Sequence, residues 1–364
     1  MALTTVSVIE SRTRLVPPSS TVAARIPSTS HNSLHHKDKQ TSKSMGHHFS
    51  IESRGFTGSS LKKLAGQLRG RKVISLGTGR PTADFYPWES MTFGARTLDV
   101  RPDKGLDYTG AAKHTITKEG GSYNLSTALN YGHSAGSPPL LQFVSKHVEN
   151  VHRPPYVDWS TSLTSGSTAA LEVAYRIFCN RGDTVLTEKY TYPGAIEGAG
   201  LVGLRFEGVD MDAEGLRADS LQQALSEWDL SRGPKPRVLY TVPTGQNPTG
   251  ATQSAERRNA IYDIAEEHDL VIIEDDPYYF LRMGVYQPDH ETLAQAATEL
   301  PSYLSLDRSG RVIRLDSTAK ILAPGLRAGW VTANAQIIEK FIAYQELTTV
   351  AVSGAFAADA VDVT

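Results

Sequence analysis

A chain of 364 residues with 40% hydrophobic and 21% charged side chains is long enough to bury a core, and it is neither collagen-like nor wholly disordered. Its 37 basic and 39 acidic residues leave a formal charge of -2, which gives no electrostatic footprint for nucleic acid or an anionic membrane. No run approaches the ~20 apolar residues that span a bilayer, and the single cysteine, Cys179, can form neither an internal disulfide nor a cysteine-based zinc site.

Residues 1–48 read as a disordered leader. They are rich in Ser, Thr, His and Pro and show no apolar periodicity, so little burial would offset their ordering entropy. His31, His35, His36, His47 and His48 fall here and read as solvated, with no metal site expected. The segment is also basic and acid-poor, as an organelle transit peptide is. No clear amphipathic helix stands out in it, so the expected location is the cytoplasm, with the mitochondrion as the alternative.

From about residue 60, short apolar runs alternate with amphipathic stretches. Strands are expected over Thr184–Glu188, Val238–Val242, Leu270–Glu274, Val312–Leu315 and Gly329–Thr332, and helices over Ala169–Asn180, Ala213–Trp228 and Ala255–His268. The alternation predicts an α/β fold with a mostly parallel sheet covered by helices. Ligands of such sheets sit beyond the carboxyl ends of the strands.

Chemistry is therefore sought at the strand ends, in chain order. Thr164-Ser165-Gly166-Ser167-Thr168 precedes a helix; it is either an anion cradle or an ordinary N-cap. Tyr190-Thr191-Tyr192-Pro193-Gly194 could lay a phenol on a flat ring or simply line a turn. The polar side chains of Pro243–Gly250 could face a ligand or satisfy their own backbone. Asp275-Asp276-Pro277-Tyr278-Tyr279 offers a carboxylate that could keep a heteroaromatic nitrogen protonated, or is a plain Asp-Pro turn. Lys320, in Ser317-Thr318-Ala319-Lys320, is either a desolvated nucleophile toward carbonyls or a surface lysine. A Ser-Lys acyl-transfer reading also wants Ser-Asp-Asn and Lys-Thr-Gly, and neither tripeptide occurs. Arg327, after the Pro324-Gly325 turn, could hold a phosphate dianion or be a surface charge. Taken together these residues supply what pyridoxal phosphate needs.

With those residues the chain resembles the fold-type-I, class I/II aminotransferases, in the branch of fungal aromatic-amino-acid and kynurenine/2-aminoadipate aminotransferases. The resemblance runs from about Phe49 to about Gly354. Its motifs are Asn247-Pro248-Thr249-Gly250, Glu274-Asp275-Asp276-Pro277-Tyr278-Tyr279, and Ser317-x-x-Lys320 followed by Pro324-Gly325-Leu326-Arg327-x-Gly329. Ser75-Leu76-Gly77-Thr78-Gly79-Arg80-Pro81 and Tyr131-x-x-Ser134-Ala135-Gly136 support it.

The resemblance implies the pyridoxal-phosphate-dependent transferase fold of type I, with a seven-stranded, mostly parallel sheet and, here, an incomplete small domain. It divides the chain into a leader (1–48), an arm with part of the small domain (49–110), a large cofactor-binding domain (111–340) and an interdomain helix with a divergent end (341–364). It implies that Lys320 holds pyridoxal 5'-phosphate covalently and shuttles the substrate proton. Asp276 would pair with the pyridinium nitrogen, Asn247 and Tyr279 with the ring oxygen, and Tyr192 would stack on the ring. Ser167, Thr168, Ser317 and Arg327 would hold the phosphate, joined by Tyr131 from the other subunit of a homodimer. Gly79 and Asn247 would lie near the substrate. The implied reaction is transamination of an aromatic or related large L-amino acid with a 2-oxo acid such as 2-oxoglutarate. The alternatives are a truncated, non-catalytic relative and another fold-type-I enzyme such as a lyase.

The expected departure lies at the end of the chain. Family members carry a C-terminal small domain whose arginine grips the substrate carboxylate, whereas no arginine follows Arg327 here and the residues after Gly354 depart from the pattern. Arg54 and Arg80 are the candidate substitutes for that contact.

Overall fold

Seven short runs, all but the third mostly buried, make the central sheet: β1 (Trp159–Thr164), β2 (Thr184–Glu188), β3 (Arg205–Val209), β4 (Val238–Thr241), β5 (Val271–Asp275), β6 (Val312–Ser317) and β7 (Gly329–Asn334). The computed structural model describes residues 39–61, 79–96, 99–101, 105–107, 111–121, 123–282 and 300–354. The strand order is β1-β7-β6-β5-β4-β2-β3. Strands β6, β5, β4, β2 and β3 pair in parallel, and β7 runs antiparallel to both β6 and β1.

All five expected strands are present. The residue-level reading had missed β1 and β3. Four of the six residues in the run Trp-Ser-Thr-Ser-Leu-Thr of β1 carry hydroxyls, and β3 is an edge strand with one fully buried residue, so neither gives an apolar run.

Helices cover both faces: α1 (Pro138–Val151), α2 (Ser167–Phe178), α3 (Pro193–Leu201), α4 (Ala218–Ser226), α5 (Ala255–Glu267) and α6 (Ala335–Gln345). The expected helix over Ala213–Trp228 is shorter. Gly215 takes φ +85 in a small hairpin of Met211–Asp212 with Gly215–Leu216, and α4 starts only afterwards. Among the described residues no helix is long and apolar enough to cross a membrane.

The period-two alternation of the strands divides the core. Tyr240, Val271, Ile273, Ile313 and Leu315 pack against Ala170, Ala174 and Ile177 of α2 and Ile337 and Phe341 of α6. Leu186, Leu239, Ile272 and Val312 face the other way, onto Val148 of α1, Leu221 of α4 and Ile261 and Ala265 of α5.

The expected leader proves too long at its end. Residues 1–38 lie outside the described residues, but 39–48 are folded onto the sheet. Gln40 bridges to Tyr156, and Ser42 bonds Asp158 from its amide at 2.7 Å and its hydroxyl at 2.6 Å. Asn334 Nδ2 donates to Ser42 Oγ at 2.7 Å, and Met45 is buried in the core. His47 is exposed, in line with the expectation, whereas His48 is buried; their Nε2 atoms meet the two oxygens of Asp269 at 2.8 and 3.1 Å. Buried Met45 and paired polar groups anchor this segment of otherwise polar composition.

Arg314 on β6 is fully buried on the α5 face. Its guanidinium meets Glu274 at 2.9 Å, Asp276 at 3.4 Å and Asp316 at 2.9 Å. Burial lowers its pKa, but the three carboxylates more than reverse that and hold its proton above the ordinary range. Burial in turn pushes the Glu274 and Asp316 carboxyls up, against the pull of the arginine. Replacing Arg314 by Met leaves buried carboxylates uncompensated. The expected result in urea denaturation is an unfolding free energy lower by about 3–5 kcal/mol; a loss below about 1 kcal/mol would contradict this account of the network.

Candidate active site

Beyond the carboxyl ends of β4, β5 and β6 opens a cavity of about 220 Å³. Ser167, Thr168, Tyr192, Asn247, Ser317, Lys320 and Arg327 line it together with Asp275 and Tyr278. These residues come from loops far apart in the chain, so each weak sequence signal gains weight from the convergence.

The phosphate-sized end is built around a glycine. Gly166 precedes α2 at φ +88, and no side chain caps the helix, so its first amides stay available to an anion. A Cβ at position 166 would stand 2.7 Å from Nη2 of Arg327, so a larger residue in this positive-φ turn would make the guanidinium shift. Arg327 is itself in the left-handed region, and its Nη2 donates to the carbonyl of Ser165 at 3.1 Å. Ser317 and the hydroxyls of Ser167 and Thr168 line the same end. The loop Pro243–Gly250 does two things at once. Gln246 Oε1 takes the amide and hydroxyl of Thr249, while Asn247 turns its side chain to the cavity and bonds the phenol of Tyr278.

The acidic segment is shifted by one residue from the expectation. Asp276 and Tyr279 do not line the cavity; Asp275 and Tyr278 do. A strand turns successive side chains to opposite faces, so neighbouring positions cannot both reach one site. Asp275 follows Ile273 on the α2 face. Asp276 follows Glu274 to the other face, where it accepts from Thr244 Oγ1 at 3.0 Å and meets Arg314. Tyr279 is buried there too: its hydroxyl donates to Leu300 O at 2.8 Å, and its ring centroid lies 4.9 Å from the Arg314 guanidinium.

Tyr240 donates its hydroxyl to Asp275 Oδ2 at 2.9 Å, and Asp275 Oδ1 is buried without a partner. Burial pushes the Asp275 carboxyl up to about 7; the Tyr240 bond pulls it down, and the charges of Asp276 and Asp316 push it further up. A cationic ring nitrogen would complete that oxygen. The set therefore fits a flat heteroaromatic ring carrying a phosphate, with an amine, Lys320 Nζ, 6.0 Å from the centroid of the Tyr278 ring.

Lys320 is exposed in the single chain, so this chain alone does not supply the desolvation expected of it. Tyr131 is 59% exposed, on a separate cleft with His133 and Val350. Gly79 and Arg80 are exposed and do not line the cavity, and Ser75–Thr78 lie outside the described residues. Arg54 is not brought to this site at all. It ends a four-residue helix beside Thr184 and Val238, the first residues of β2 and β4, at the opposite end of the sheet. Sequence reasoning had the cradle segment around Gly166 as one of two readings, but it assigned no role to Asp275, Tyr278 or Tyr240. The alternation of β5 was the available signal for the first two.

The family model for aminotransferase class I and II matches residues 107–362, eight residues beyond the expected end of the resemblance at Gly354. The chain is 47% identical over 323 residues to "Aminotransferase swnA" of Metarhizium robertsii, covering 88% of this chain and 63% of that one. It is 39% identical over 328 residues to an aromatic amino acid aminotransferase of Schizosaccharomyces pombe, covering 86% and 69%. The crystal structure of aminotransferase Aro8 from Candida albicans superposes with a TM-score of 0.80 at 36% identity, covering 89% of this chain and 71% of the other. The chain thus spans about two thirds of the length of these relatives.

The raised carboxyl of Asp275 gives a signed pH effect. Between about pH 4 and 7 the folded chain holds a proton that the unfolded chain has lost. Its stability therefore falls as pH rises through that window, by up to roughly 1.4 kcal/mol per pH unit from this group. Asp275→Asn removes that slope. In urea denaturation it should be more stable than the parent near pH 8, with an advantage that shrinks toward pH 4. A difference independent of pH would refute the assignment.

Proposed function

We propose, from the premise that the chain belongs to the class I and II aminotransferase family, that it binds pyridoxal 5'-phosphate in the Lys320 cavity and transaminates an aromatic L-amino acid with a 2-oxo acid such as 2-oxoglutarate. One observation carries this reading. Lys320, Asp275 and Arg327 meet around a single cavity at the carboxyl end of the sheet, and Asp275 Oδ1 lacks a partner. The aromatic donor is supported by the Schizosaccharomyces pombe relative, which is named for that activity.

When bound, pyridoxal phosphate supplies an aldehyde that condenses with amines and a ring that withdraws electrons from the substrate Cα. The residues of the chain do the rest. Arg327, Ser167, Thr168 and Ser317 take the phosphate; a fixed guanidinium and hydroxyls suit a dianion. Asp275 holds a proton at the ring nitrogen, Asn247 and Tyr278 donate to the ring oxygen, and Tyr192 covers one ring face. Lys320 Nζ takes the proton from the substrate Cα and returns it at the other end of the transfer. The exposure of Lys320 and Tyr131 supports a homodimer in which each copy covers the other's cavity and contributes Tyr131 to its phosphate.

Titration of the purified chain with pyridoxal phosphate should give a yellow absorbance band that Lys320→Ala abolishes. Borohydride reduction and peptide mass spectrometry should place the adduct on residue 320, and tyrosine with 2-oxoglutarate should turn over. Gly166→Ala pushes Arg327 from the cradle and should weaken cofactor binding roughly 10- to 100-fold, the worth of one charged contact. An identical spectrum for parent and Lys320→Ala would sink the proposal.

A further inference from the structure

Strands β4 and β5 pair in parallel with Tyr240 opposite Ile273. Asp275, two residues on, shares that face and lies diagonally from Tyr240. Tyr240 is wholly buried, and a buried phenol is costly in a core strand unless its hydroxyl finds an acceptor. It finds Asp275 Oδ2 at 2.9 Å, which leaves Oδ1 as the unpaired oxygen of a cavity-lining carboxyl.

We propose that Tyr240 is a positioning residue: its hydroxyl fixes the orientation of Asp275 so that Oδ1 is presented to a cationic ring nitrogen in the Lys320 cavity. The inference rests on the reading of the site given above. A carboxyl held at neither oxygen can rotate and offers no preferred direction; a donor at Oδ2 removes that freedom. The same O–H favours the charged form of the acid. That matters because the charged surroundings are divided. Asp276 and Asp316 oppose a charge on Asp275, Arg314 favours it, and the phenols of Tyr175 and Tyr278 also face it.

The test uses the full chain with Tyr240→Phe, Asp275→Asn and the double variant. Equilibrium binding of pyridoxal phosphate should weaken roughly tenfold in Tyr240→Phe, the loss expected for one hydrogen bond to a charged group, and less than about twofold more when Asp275 is already Asn. In the cofactor-free protein, the fall of stability with rising pH should extend to higher pH in Tyr240→Phe. A purely structural role would lower stability by the same amount at every pH. Parent-like affinity in Tyr240→Phe, or an equal loss in both backgrounds, overturns the proposal. If the parent itself binds no cofactor, the functional reading fails instead. The pH profile then decides alone, and an unmoved profile means that Tyr240 does not govern Asp275.

Discussion

Arg314 sits fully buried between Glu274, Asp276 and Asp316, and the arrangement above it depends on that contact. Two parallel strands end here in a row of acids that water cannot reach. Left alone, such a row would repel itself or stay protonated. One guanidinium on the α5 side draws Glu274, Asp276 and Asp316 to itself. Asp275, on the other side of the same strand, is left outside that bargain. It is the carboxyl that borders the cavity, kept close to neutrality by burial until a cation arrives.

Much of the fold was readable before any coordinates. Buried parallel strands favour short apolar runs, and β2, β4, β5 and β6 each carry one, although Arg314 interrupts that of β6. An edge strand such as β3 meets solvent and has no such need, while β1 hides its strand character under hydroxyls that bond inside the sheet's flank. The site was readable as a set of segments rather than as a set of atoms. Lys320, Asn247, Tyr192, Ser317 and Arg327 stand in segments that the strand ends and the family resemblance singled out, and the fold brings all five to one cavity. The acidic run was misread by one position because Asp275 and Asp276 are the same residue type, so only the alternation of faces tells them apart. Tyr279 was misread with it. Its ring serves the arginine beneath the site, whereas Tyr278 serves the cavity.

Glycine at 166 has a similar economy of means. A turn at positive φ, an uncapped helix start and a guanidinium that needs the missing Cβ volume coincide at one residue. Gly329, at the start of the reversed strand β7, packs against the same turn; its Cβ would lie 3.2 Å from the Gly166 Cα and 2.5 Å from the Asp316 carbonyl oxygen. The anion end of the cavity thus exists because two backbones touch where side chains would have kept them apart.

The segment around Ser42 bears on how the molecule assembles. Its hydroxyl joins Asp158 and Asn334, partners 116 and 292 residues further along the chain. Contacts of such long separation are entropically late, since the intervening polymer must already be in place. These contacts therefore close two of the longer loops of the fold, tying the segment before the first helix to the residue that leads into β1 and the one that ends β7.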